Sequence, residues 1–144
     1  MRRIALFISI LLFSLCVRAN LDGLSMSQIT RDTQRWSQEV VNRVLHNRGW
    51  DGKLNTKEKL EVYKSLQDIA ANQFKVGYLL AMDGSTYSDA RDSHLAIFTG
   101  AVLGREPSEA EQLIMDVKLL ALDAAFSYYE NPSYFPEQQA APTH

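Results

Sequence analysis

Apolar residues recur at three- and four-residue spacing through four segments of the chain, and no segment sustains a period-two alternation, so the pattern predicts helices and no sheet. The first segment, SMSQITRDTQRWSQEVVNRVLHNRG, opens with Ser25 and Gln28 at capping-box spacing. It places Ile29, Thr33, Trp36, Val40 and Val44 on one face and ends at Gly49. The second, NTKEKLEVYKSLQDIAANQFKVGYLLAMDG, repeats the capping pattern with Asn55 and Glu58. Leu60, Tyr63, Leu66, Ile69, Ala70, Phe74, Gly77, Tyr78 and Ala81 form its broad apolar face, and Gly84 closes it. The third, SDARDSHLAIFTGAVLG, has a start blurred among Ser85, Thr86, Ser88 and Asp89, and Gly104 and Pro107 stop it. The fourth starts at a third capping box, Ser108 with Glu111. Its Leu113, Ile114, Val117, Leu119, Leu120, Leu122, Ala125 and Phe126 nearly encircle the helix, the pattern of a central, buried element.

Four such helices joined by short loops read as a compact all-α bundle. Ala70, Gly77 and Ala81 on the second helix, and Ala96, Gly100 and Ala101 on the third, are small. They suggest close packing of those two helices or a groove between them.

The opening MRRIALFISILLFSLCVRA changes the picture of where this bundle works. Arg2 and Arg3, an apolar run from Ile4 to Leu15, and Val17-Arg18-Ala19 make a secretory signal peptide over residues 1–19, cleaved before Asn20. The alternative, a retained membrane anchor, asks for about 20 apolar residues, more than this run supplies. The domain then spans 20–131, followed by an extended tail over 132–144 that contains Pro132, Pro136 and Pro142. Export makes the expected location periplasmic or secreted, with no stable membrane span after cleavage.

Loss of Arg2, Arg3 and Arg18 takes Lys+Arg from 15 to 12 against 17 Asp+Glu, and the formal charge from -2 to -5. That acidity argues against nucleic acid, whose binders concentrate Lys and Arg. Cys16, the one cysteine, leaves with the leader, so disulfides, Cys-ligated zinc and thiol catalysis are excluded for the mature form. No G-x-S-x-G, H-E-x-x-H or Gly-rich phosphate loop is present, and the chain reads as a binding protein rather than an enzyme. An enzyme would have to use His94 or the small-residue groove. The acids Glu109 and Glu111 belong to a helix start, where the macrodipole favours anions.

One stretch, NRGWDGKLNTKE over residues 47–58, resembles an EF-hand calcium loop between two helices. Asn47, Asp51, Lys53 (through its carbonyl), Asn55 and Glu58 fall at its oxygen-ligand positions, and Gly52 at its turn glycine. Gly49 stands at a ligand position with no side chain, and Asn47 replaces an acid. The resemblance implies a weak Ca²⁺ site; a turn and a capped helix explain much of the same pattern.

Trp50, in the same loop, is either an aromatic anchor for a partner or a plug over the bundle's end. The leading expectation is an exported protein-binding module, such as an inhibitor, immunity or adaptor protein, with no cofactor and a basic partner. Its candidate contact residues are Trp50, Asp51, Tyr87 and Asp89. A calcium- or small-ligand-binding domain is the alternative.

Overall fold

The computed structural model describes residues 26–50 and 52–132, and among them the chain forms four α-helices and no strand. They are α1 (Met26–Asn47), α2 (Thr56–Met82), α3 (Tyr87–Ala101) and α4 (Glu109–Glu130). The expected leader at 1–19, the expected Ser25 cap, Asp51 and the expected tail beyond Pro132 lie outside the described residues. No helix among those described is long and apolar enough to cross a membrane.

Local sequence sets the helix ends. The Asn55 side chain accepts from the N–H groups of Lys57 and Glu58, while the Glu58 carboxylate accepts from the Asn55 N–H. Ser108 and Glu111 make the same reciprocal box at the start of α4. Arg105 also grips the Glu111 carboxylate through two bonds, and with them holds it down at about 2. Thr86 caps α3, which resolves the blurred start. At the end of α1, Gly49 adopts φ 65°, which lets the Trp50 N–H reach the Leu45 carbonyl and the Gly49 N–H reach that of His46. This Schellman arrangement satisfies carbonyls the helix cannot.

The core lies between α1, α2 and α4, and α4 touches all three other helices. Ile29, Thr33, Trp36, Val40 and Val44 are all buried, as the face of α1 requires. The buried hydroxyls of Thr33 and Ser37 donate back to the carbonyls of Ile29 and Thr33. At the centre the Tyr128 ring meets Trp36 at 5.1 Å, Phe74 at 5.5 Å and Tyr78 at 5.9 Å between centroids, all edge-on or tilted. Such pairs contribute about 0.5–1.5 kcal/mol each beyond the area they bury. The Tyr128 hydroxyl donates to Asp32 at 2.6 Å, and Asp32, only 8% exposed, also accepts from Gln28 at 2.9 Å. Burial and that donated bond push the Tyr128 phenol well above its usual range.

Two expectations need correction. Leu60 is 72% exposed, because residues 55–61 of the loop and first turns of α2 extend past the partner helices. The close approach of α2 is to α4 rather than α3: a Cβ on Gly77 would stand 2.8 Å from Ala125 Cβ and 3.0 Å from Leu122 Cδ1, both on α4. Ala96, Gly100 and Ala101 are exposed. Burying the most apolar helix takes the close-approach face of α2, and α3 is left at the periphery. It buries only Ala90 fully and leaves Leu103, just past its end, 83% exposed.

Two substitutions test this packing. Tyr128→Phe keeps the ring and removes the donor to Asp32, so urea unfolding should show a loss of about 1–3 kcal/mol. Gly77→Ala gains about 1 kcal/mol of helix propensity. It also forces the α2–α4 contact apart at an overpacking cost of roughly 1–3 kcal/mol, so the net change should be destabilising.

Candidate functional site

The fourth helix is not covered all round. Leu113, Val117, Ala121, Leu122, Ala124, Ala125 and Tyr128 are buried, but Leu119, Leu120, Asp123, Phe126 and Ser127 are only half-buried. They form the floor of a groove flanked by the end of α1 and by the 85–87 turn into α3. Two clefts make it up. One, of about 360 Å³, is lined by Ser85, Thr86, Tyr87, Asp123, Phe126, Ser127 and Glu130. The other, of about 300 Å³, is lined by Val44, Asn47, Tyr87, Asp116, Leu119, Leu120 and Asp123. Tyr87 and Asp123 belong to both, so the two clefts adjoin at that pair.

Tyr87 is the first residue of α3, and the Thr86 cap fixes the turn that delivers it. Its ring stands edge-on to Phe126, with centroids 6.0 Å apart. Burial first, and the nearby Asp123 carboxylate second, raise its phenol above the ordinary value, so at neutral pH it remains a hydroxyl donor. Asp123 is raised by burial alone, and no side chain or backbone group among the described residues hydrogen-bonds or ion-pairs with it. A half-buried carboxylate without a partner is costly, and this one lines a cleft together with the Tyr87 and Phe126 rings. At the α1 end, Arg48 donates to Asp116 at 2.5 Å and to Gln112 at 3.0 Å, so the other floor carboxylate of that cleft is neutralised within the chain.

The residues singled out in the sequence do not come together at one place. Tyr87 lies in the groove. Asp89 is two residues on, but its carboxylate accepts from the Thr86 hydroxyl at 2.8 Å and completes the α3 cap. Trp50 is half-buried and packs against the core cluster at the end of α1, the geometry of a plug. Of the EF-hand-like set, Asn47 is exposed and lines the second cleft, while the Lys53 N–H donates to the Trp50 carbonyl. Asn55 and Glu58 engage their side-chain oxygens in the α2 cap, and Asp51 is outside the described residues. Among the described residues, no group of three or more His, Cys, Asp or Glu is arranged to hold a metal ion.

His94 joins helices. Its Nδ1 is 2.8 Å from the Ala90 carbonyl, which only accepts, so Nδ1 carries the proton. The other ring nitrogen accepts from the buried Gln73 amide, also at 2.8 Å, and ties α3 to α2.

Asp123 was missed in the sequence, although a signal was present. Asp116, Asp123 and Glu130 recur every seven residues along a helix otherwise apolar on most sides. No protein-family model, curated protein or solved structure matches the chain.

Asp123→Asn provides the stability test. A carboxyl raised in the folded state contributes nothing below its unfolded value and opposes folding once pH passes the raised one. Wild type should therefore fall below the Asn variant as pH rises across that interval and stay below it. The gap should be small, roughly a few tenths of a kcal/mol, because solvent screens the half-open site. Urea midpoints for both proteins measured from pH 3 to pH 8 check this.

Proposed function

We propose that the protein is an exported binding module, of the inhibitor, immunity or adaptor kind, that docks a basic protein on the Tyr87–Asp123 groove. The observation that carries this reading is the unpartnered, half-buried Asp123 carboxylate shared by two adjoining clefts. A fold that retains such a group bears a cost that a cation from outside would offset. The acidic balance of the chain favours encounter with a basic surface. The signal-peptide pattern at residues 1–19 supports action outside the cytoplasm, in the periplasm or beyond the cell. Tyr87 and Phe126 add what charge alone lacks: flat apolar walls against which the stem of a Lys or Arg lies, with the charged head over a ring face.

A photo-cross-linking residue placed at Asn47, exposed at the groove's edge, should give one discrete protein adduct in the cells that make this protein. The same residue at Lys75, on the exposed side of α2, should not, and Asp123→Asn should remove the Asn47 adduct. No adduct from Asn47, or the same adduct from both positions, would refute the reading.

A further inference from the structure

The carboxylates of the groove are regularly spaced. Asp116, Asp123 and Glu130 all lie on α4 and are seven residues apart. At 1.5 Å per residue they follow one another at about 10.5 Å along the helix axis, and each heptad turns the row by only about 20°. Asp116 and Asp123 line one cleft, and Asp123 and Glu130 line the next. Between them lie Leu119, Leu120 and Phe126, so the floor alternates an acid with an apolar step.

The chain itself shows what fits the first position: Arg48, reaching across from the end of α1, donates to Asp116 at 2.5 Å. Asp123 and Glu130, one and two heptads further on, have no such cation among the described residues. Resting on the groove reading above, we infer that the occupant is a basic amphipathic helix whose Lys or Arg residues recur every seven positions, with apolar residues three and four places after each.

An α-helix is the element whose own repeat matches this row. Cations at seven-residue spacing stay on one face and meet Asp123 and Glu130 in turn, while the apolar residues between them settle on Leu119, Leu120 and Phe126. An extended segment rises about 3.3 Å per residue and reaches the next acid after about three residues. Its alternating side chains then point away from the floor at every second acid. The charges set register, and the apolar steps supply the buried area.

Two synthetic helical peptides of identical composition test this against the full chain by fluorescence anisotropy. One carries Lys every seven residues with Leu three and four places after each; the other carries the same Lys every five residues, which scatters them around the helix. The seven-spaced peptide should bind at least about tenfold more tightly, and Asp123→Asn or Glu130→Gln should each bring it to the level of the five-spaced one. Equal binding of the two peptides, binding of neither, or indifference to both substitutions would overturn the inference. If the Asn47 adduct persists in any of those cases, the helical register alone has failed; if the adduct is lost too, the groove reading fails with it.

Discussion

The bond between Tyr128 and Asp32 is the interaction on which the arrangement of the other elements depends. It joins α1 to α4 across 96 residues of sequence, and the ring that carries the hydroxyl is the one that Trp36, Phe74 and Tyr78 surround. An aromatic cluster alone is tolerant of rotation and sliding, because edge-on contacts of similar energy exist at many angles. A single directional bond to a nearly buried carboxylate removes that freedom. It requires Asp32 to face inward, which sets the rotation of α1, and it holds α4 at the depth where Gly77 can meet Ala125. Once α4 is seated so, its opposite side is what remains open to solvent, and the groove lies there.

Much of the bundle was legible in the sequence because helix ends and helix faces are local matters. The boxes at Asn55 and Ser108, the terminating role of Gly49 and the buried face of α1 depend on residues within a few positions of one another. Choices between partners are not local. The small-residue face of α2 showed that some helix would come close, but the stripe carries no label for which one, and α4 took that place rather than α3. Leu60 obeys the periodicity of its helix yet lies where no neighbour reaches. The candidate site was partly readable. Tyr87 is among the contact residues the sequence suggests, while Asp123 is hidden within a helix that looks apolar nearly all round. The seven-residue row of acids was present in the sequence, but whether such a row is covered depends on where the end of α1 and the 85–87 turn are placed.

Stability and proposed function pull in opposite directions at Asp123. Among the described residues, the other acids that are not exposed all have partners: Glu39 has Arg43, Glu111 has Arg105, Asp116 has Arg48, and Asp32 accepts from Tyr128 and Gln28. Against that habit, one half-buried carboxylate left without a partner stands out as a local departure from the rules the rest of the fold obeys, and departures of this kind concentrate where proteins meet other molecules.

The light attachment of α3 divides labour within the chain. Three helices bury the aromatic cluster, whereas α3 buries a single alanine and is joined to α2 by the Gln73–His94 bond. Tyr87, at its first position, is the α3 residue that lines the groove, so substitutions along the rest of α3 leave both the groove and the core little changed. A lineage carrying this scaffold can let the outer part of one peripheral helix drift, while the Tyr87 wall and the three helices that determine whether the protein folds at all stay as they are.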